Sequence, residues 1–392
     1  MKKTLPLLLL LAMLPSALTA QIRHTWIPYE DFADFSFRKD TVSIVLIGDV
    51  MMHGPQSKDA FRLYSESHPG ANPNNSAHYD FSTFFMHLKD RFQAADLAIC
   101  NMEFPLAGAP YTGYPAFSAP DSYADYIVSC GFDVLLAANN HILDKGSAGL
   151  RRTIRTYDAI EASSEVVYTG ISKDSADDDA HYPAIVIVKG VKIAILNFTY
   201  GTNAGSDSRW PKVNLTHKDD ILKAIGRAKE QNADLIIAIP HWGTEYQQRH
   251  SAQQGDLARW MAARGVDLIV GHHPHVVQDF ELITVTRDDG EIHQVPVLYS
   301  LGNAVSNQND LITRLEAMAE FKVAVHGMDK KLLPEPEITF LWCTKPRMVE
   351  DSYSVLPVKD FIGKKDEWRI QSDYTNMVET YKNVKKKTGI ED

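Results

Sequence analysis

Five apolar runs in this 392-residue chain close on side chains that can hold a cation. Asp49 ends "TVSIVLIGD", Asn101 and Glu103 end "ADLAICNME", and Asn140 and His141 end "FDVLLAANNH". His241 and Glu245 follow "ADLIIAIP", and His272, His273 and His275 crowd "VDLIVGHHPH". Each has a plain structural reading when taken singly. An Asp after a strand caps a helix or starts a turn, Asn139 with Asn140 makes a turn, and His241 beside Trp242 fits a hydrogen-bonded core histidine. His273 and His275 differ, because Pro274 between them restricts the backbone that carries two imidazoles. The recurrence of ligand types over five closures in strand order points to one shared metal centre. Mixed nitrogen and oxygen donors suit manganese, iron or zinc better than calcium.

The elements that must bring these residues together are legible in the hydrophobic pattern. Short, nearly continuous apolar runs are buried strands, and "SAGLRRTIRTYDAIEA" and "KDDILKAIGRAKEQ" between them carry helical periodicity. Strands alternating with helices give an α/β fold, a layered sandwich with its sheets flanked by helices. Lys189-Gly190 inside "HYPAIVIVKGVKIAILNF" reads as a tight hairpin turn, so the β-sheets are mixed. After residue 277 strands follow one another without long helices, which suits antiparallel pairing, and a last helix is expected over 373–387. "SKDSADDDA" (172–180) reads as an acidic surface loop without the spacing of an EF-hand. Open sheets of this kind place their sites at the carboxyl ends of strands, where the five closures lie.

Forty basic against fifty acidic residues give a formal charge of −10, which argues against a nucleic-acid partner or an anionic membrane surface. An anionic substrate would need local positive charge, and a bound metal supplies it. The N-terminus, "MKKTLPLLLLLAMLPSALTA", has the basic start, apolar centre and small-residue end of a signal peptide over 1–20. Cleavage after Ala20 would leave a chain without a transmembrane segment, exported to the periplasm or beyond. Residues 21–40 form a lead-in. Cys100, Cys130 and Cys343 are too few and too scattered for a disulfide scaffold and read as buried apolar fillers.

The series GD (Gly48-Asp49), NxE (Asn101 to Glu103), NNH (Asn139 to His141), HWGxEY (His241 to Tyr246), GHHPH (Gly271 to His275) and SLGN (Ser300 to Asn303) resembles the CapA-type family. That family is linked to bacterial poly-γ-glutamate capsule synthesis and is itself similar to calcineurin-like metallophosphoesterases. The resemblance implies a calcineurin-like metallophosphoesterase fold over 41–327, with 328–392 as a C-terminal strand and helix extension. It implies two divalent transition-metal ions (Mn, Fe or Zn): Asp49 and His275 on the first, Asn140, His241 and His273 on the second, Glu103 bridging. His141 then matches the histidine that protonates the leaving group. His53, Asn101, Glu245, His272 and Asn303 are expected to touch substrate or support the ligands, with Gln56, Tyr246 and Arg249 as further candidates for the cleft.

The pattern departs from ordinary phosphoesterases where they carry DxH on the first strand. Met51 stands at the histidine position, with His53 two residues on. The expected function is a metal-dependent, phosphoesterase-like hydrolase of capsule or exopolymer synthesis. Its expected partners are an anionic polymer or phosphoester substrate and a capsule-synthesis membrane complex. Two alternatives stand beside it: a polymer-binding assembly factor that does not hydrolyse, and a hydrolase or transferase of γ-glutamyl amides.

Overall fold

The computed structural model describes residues 39–205 and 210–392; the expected signal peptide and all but two residues of the lead-in lie outside them. The strands in chain order begin with β1 (Lys39–Val50), β2 (Leu97–Met102), β3 (Val134–Leu136), β4 (Val167–Thr169) and β5 (Ile171–Ser172). Next come β6 (Ala184–Val188), β7 (Val191–Thr199), β8 (Lys212–Val213), β9 (Leu235–His241) and β10 (Leu268–Val270). The last are β11 (Phe280–Thr286), β12 (Ile292–Leu298), β13 (Leu315–His326), β14 (Asp329–Leu332), β15 (Glu337–Thr344) and β16 (Ser354–Pro357).

Two mixed sheets result. One runs β16-β15-β13-β1-β2-β3-β4, with β14 on β13; the other runs β11-β12-β10-β9-β7-β6, and β5 pairs with β8 apart from both. Within the first sheet β1 to β4 are parallel, and β13, β15 and β16 are antiparallel. Within the second, β7, β9, β10 and β12 are parallel and the edge strands β6 and β11 antiparallel. The expected hairpin is present: Lys189 (φ 48°) and Gly190 (φ 81°) turn β6 into β7, the left-handed pair that a two-residue hairpin requires.

Alternation along the strands decides the layers. Val42, Ile44 and Leu46 of β1 meet Ile193, Ile195, Ile237, Ile239 and Leu268 of the other sheet in a shared core. The intervening Val45 and Ile47 face outward, against Leu150, Ile154, Tyr123 and Phe84 on helices Gly146–Ser163 and Asp121–Ser129 and the turns before Lys89. The second sheet does the same with Ile221, Ile225, Ala258 and Met261 of helices Lys218–Glu230 and Ala252–Ala262. Helix, sheet, sheet and helix thus form four layers, and each fully buried Val or Ile side chain contributes roughly 1.5–3 kcal/mol. The three cysteines are free and buried in this core, as expected. β15 and β16 complete the sheet that β1 begins, and the final helix, Gln371–Thr388, packs Met377 and Val384 into the intersheet core.

One expectation fails. Residues 175–180 of the acidic stretch lie in a helix, Ser175–His181, not a loop, because the Asp174 carboxylate caps it by accepting from the Asp177 N–H (2.9 Å). Asp177 and Asp178 are buried there, and Asp177 accepts from the Lys173 N–H (2.8 Å), so charge that looked solvent-facing serves local structure. Among the described residues no helix is long and apolar enough to cross a membrane.

Candidate metal centre

The parallel strands of both sheets end at the same edge, and the residues that close them meet there. A register shift between Leu46 and Asp49 turns the end of β1 so that Asp49 faces Asn101 of β2; such a bulge re-aims a side chain. Gly48 must be glycine, since a Cβ would sit 2.0 Å from the Gly302 carbonyl oxygen. That closeness lets the Asp49 N–H donate to Gly302 O (2.9 Å) and the Ala304 N–H to Asp49 O (2.9 Å), locking the SLGN loop against β1.

Asp49, Glu103 and His241 are fully buried, and Asn140, His273 and His275 are nearly so. The Asp49 carboxylate accepts from Asn101 Nδ2 (2.7 Å) and from the His273 N–H (3.1 Å), and His275 Nδ1 lies 3.4 Å away. His241 Nε2 is 2.8 Å from Asn140 Oδ1 and 3.6 Å from Glu103 Oε1. His275 Nε2 is 3.9 Å from the same Glu103 oxygen. Ligand atoms of Glu103, His273 and His275, and of Asp49, Glu103 and His241, all lie within 4.8 Å of one another. Glu103 belongs to both groups. Neither of its oxygens has a hydrogen-bond partner, nor has His273 Nδ1.

The electrostatics bear on what this cluster could hold. Burial pushes the Glu103 carboxyl well above its ordinary value, and the Asp49 charge adds to this. Burial pushes Asp49 up as well, yet the hydrogen bond from His275 and the charges of His241 and His272 hold it well below the usual carboxylate range. Burial and then the neighbouring His273 keep the His241 imidazole well below its ordinary value; burial and then His275 push His273 down to about 3. Among the described residues no Lys or Arg pairs with Asp49 or Glu103. Two buried carboxyls with lone pairs turned inward and no cation beside them are costly. Divalent metal ions fit this donor set, since carboxylate, amide oxygen and neutral imidazole are their ordinary ligands.

The supporting residues are equally specific. Asn303 donates through Nδ2 to Thr313 O (3.0 Å), which leaves its Oδ1 to accept from His275 Nδ1 (2.8 Å). The Nδ1 proton is thus fixed, and the Nε2 lone pair faces Glu103. His272 does not enter the cluster: its Nε2 lies 3.0 Å from Ile47 O, tying the second sheet to β1. Trp242 is buried beneath the ligands and donates from Nε1 to Tyr299 O (3.0 Å). Tyr246, His273 and His275 all adopt positive φ (65°, 97° and 58°), a conformation that costs non-glycine residues of order 1–3 kcal/mol each and gathers at functional sites.

His141 stands at the rim of this cluster. Asp144 Oδ2 accepts from its Nδ1 (2.8 Å) and from the Phe117 N–H (2.8 Å), and Phe117 meets the imidazole edge to face at 4.6 Å. Met51, at the position of the phosphoesterase histidine, is buried and faces no ligand, its N–H donating to Val305 O (3.0 Å). His53 starts helix Gly54–Ser67, where its N–H donates to Gln56 Oε1 (2.8 Å) and its Nδ1 accepts from the Asn307 N–H (3.3 Å). Burial pushes its imidazole down to about 4. Gln56 is turned to Met51 O (3.3 Å), and Glu245 is half-buried near Glu103, whose carboxyl its charge helps to raise. Arg249 is turned to solvent, 63% exposed, beside Asp279 (3.6 Å).

Several residues of the site carried no early signal. Asp144 lies three residues past His141, in the turn before helix Gly146–Ser163, a short spacing that could have been noticed. Asn203, whose Nδ2 is 3.3 Å from His141 Nδ1, and Tyr200, whose ring lies 4.6 Å from that of His273, come from the loop after β7. Glu316 of β13 is buried behind the site and accepts from the Gly48 N–H (2.8 Å).

Comparison with known proteins adds a family. The model described as bacterial capsule synthesis protein PGA_cap matches residues 43–308. The chain is similar to the capsule biosynthesis protein CapA of Bacillus anthracis, 29% identical over 329 residues, which are 80% of this chain and 72% of that one. It is also similar to the PGA biosynthesis protein CapA of Bacillus subtilis (strain 168), 27% identical over 303 residues, 74% of this chain and 70% of the other. Among solved structures it loosely resembles the calcineurin-like phosphoesterase YfkN from Bacillus subtilis, with a TM-score of 0.41, 14% identity, and 90% and 100% of the two chains covered. The Haemophilus influenzae NAD nucleotidase (NadN) is similar at a TM-score of 0.44 and 13% identity, over 89% of this chain and 68% of that one.

Proposed function

The chain belongs to the bacterial capsule synthesis protein PGA_cap family, and from that premise we propose that it is an exported, metal-dependent hydrolase of phosphoesterase type acting in capsule or exopolymer synthesis. Its substrate is an anionic polymer or phosphoester, and it works beside a capsule-synthesis membrane complex. The observation that carries this reading is the Glu103 carboxyl: fully buried, unpartnered at both oxygens, and common to two groups of ligand atoms.

In this reading Asp49, Glu103, Asn140, His241, His273 and His275 would hold two divalent transition-metal ions, Glu103 being common to both groups of ligand atoms. When bound, the ions supply a Lewis-acidic clamp for phosphoryl oxygens and an activated water as nucleophile. The protein supplies the rest. Asn303 keeps the His275 proton on Nδ1, and Asn101 and the His273 N–H keep Asp49 ionised and aimed inward. Asp144 holds His141 through Nδ1, which directs Nε2 outward to give a proton to the leaving group.

The test is metal analysis of the purified chain together with Asp49→Ala, Glu103→Ala and His273→Ala. The wild type should retain about one to two transition-metal ions per chain, and each variant should lose metal and phosphodiesterase activity together. Normal metal content in all three variants would refute the site. Met51 in place of a histidine favours a second reading, a polymer-binding assembly factor without turnover; wild-type protein with full metal and bound polymer, but no hydrolysis of phosphodiester or γ-glutamyl substrates, would select it.

A further inference from the structure

The loop that follows β7 belongs to the second sheet, yet it is fastened across the edge of the first. The Tyr200 N–H donates to His241 O (3.0 Å), and three residues on the Asn203 N–H donates to Asn140 O (2.8 Å). Tyr200 thereby lies against the His273 ring (4.6 Å) and Asn203 against His141. The Asn203 amide is oriented as well. Its Oδ1 accepts from Asn140 Nδ2 (3.4 Å), while Asn140 Oδ1 is turned to His241 Nε2 (2.8 Å). Nδ2 is the end left beside His141. Asn203 is exposed, whereas His141 is buried.

The imidazole is a poor acceptor for that amide N–H. Asn203 Nδ2 is 3.3 Å from His141 Nδ1 and 3.5 Å from Nε2, nearly equidistant, so it lies off the axis of either nitrogen. Nδ1 carries the proton that Asp144 accepts (2.8 Å) and takes no second one, and 3.5 Å is the outer limit of a hydrogen bond to Nε2. The donor thus stands beside the Nε2 edge of a buried imidazole, at the rim of a cluster of metal-ligand atoms, where an oxygen entering between the two would meet it. A tetrahedral oxyanion brings several oxygens, and two donors 3.5 Å apart reach neighbouring oxygens of one such group. Arg249 does not fill this role, being exposed beside Asp279 (3.6 Å). An amide suits the position because it gives a charge-assisted hydrogen bond to an anion without setting a fixed positive charge next to bound cations.

We propose that Asn203 contacts the substrate, its Nδ2 donating to a non-bridging oxygen of the phosphoryl group whose leaving oxygen takes the His141 proton. The inference rests on the hydrolase reading for the identity of that group. Its test keeps the two apart by measuring affinity for inorganic phosphate, beside metal content and phosphodiester turnover, on metal-loaded full-length protein. Wild type binds phosphate saturably. Asn203→Ala binds it about tenfold more weakly, the loss expected for one hydrogen bond to a charged group. Asn203→Asp keeps an oxygen for Asn140 Nδ2 but sets a carboxylate where the donor stood, and it binds phosphate more weakly still. Both variants keep the wild-type melting temperature and metal content, and kcat/KM for a phosphodiester falls at least as far as phosphate affinity. A side chain that only packed the loop would tolerate aspartate without such a loss. Phosphate affinity that survives in either variant overturns the inference, and so does wild-type protein with full metal that binds no phosphate. A variant that loses metal together with phosphate makes Asn203 a support for Asn140 and overturns the contact. Weaker phosphate binding by both variants of a protein that hydrolyses no phosphodiester removes the hydrolase reading and upholds the phosphoryl contact.

Discussion

Glu316→Gln should make the metal-free chain more stable at pH 7 and leave it unchanged near pH 4.5. Glu316 lies in the middle of β13, 1% exposed, with one oxygen accepting from the Gly48 N–H (2.8 Å) and the other without a partner. Burial pushes its carboxyl from 4.5 up to about 8; the Gly48 bond opposes this and the Asp49 charge adds to it. The folded chain therefore holds a proton there that the unfolded chain releases above pH 4.5. Because the native state binds more protons in that window, stability falls as pH rises from 4.5 to about 8. At roughly 1.4 kcal/mol per pH unit the loss reaches about 3 kcal/mol at pH 7. Glutamine keeps an oxygen for Gly48 and carries no titrating proton. For a chain of this length a gain of that size raises the melting temperature by roughly 4 °C. The assay is thermal unfolding in the presence of a chelator, so that no cation offsets Asp49, for both proteins from pH 4.5 to 8. An equal difference at every pH, or a lower melting temperature of Glu316→Gln at pH 7, would refute the reasoning.

Two further outcomes follow from contacts at the centre. Asp144→Asn should lower turnover by about 10²–10⁴-fold, the range for losing a positioned general acid, with metal content unchanged in the same preparation; retained turnover would free His141 from that role. Asn303→Ala releases the His275 Nδ1 proton from its acceptor and should weaken metal binding by about 10–100-fold, read by competition with a chelator of known affinity, and wild-type affinity would show that the Asn303 contact does not orient the ligand.

The fold was legible because apolar runs that close on polar residues mean buried strands ending in a site, and the Lys189-Gly190 turn fixed which pair is antiparallel. The candidate ligand series was legible for a related reason: Asp49, Glu103, Asn140, His241, His273 and His275 each sit just at or past the end of a run, so their neighbours announced them. Supporting groups lack that marker. Asn203 reaches His141 from 62 residues away, and Glu316 reaches Gly48 from 268 residues away, and nothing local distinguishes either from an ordinary loop or strand residue. Asp144 was within reach, since it stands only three residues on from His141. The stretch 172–180 was misread because three consecutive aspartates resemble a solvated loop, whereas a cap at Asp174 and partners for Asp177 turned them into a helix.

The cluster draws its donors from both sheets: Asp49 and Glu103 from the first, His241, His273 and His275 from the second. Asp49, Glu103 and Asn140 lie in 49–140 and His241, His273 and His275 in 241–275, so neither stretch alone completes it. Asp49 and the His273 N–H are 224 residues apart in the chain, and bringing such distant segments together is among the last and slowest steps of a folding reaction. The cluster is therefore complete only in a chain with both layers seated. Its closure thus marks the finished assembly of the two sheets.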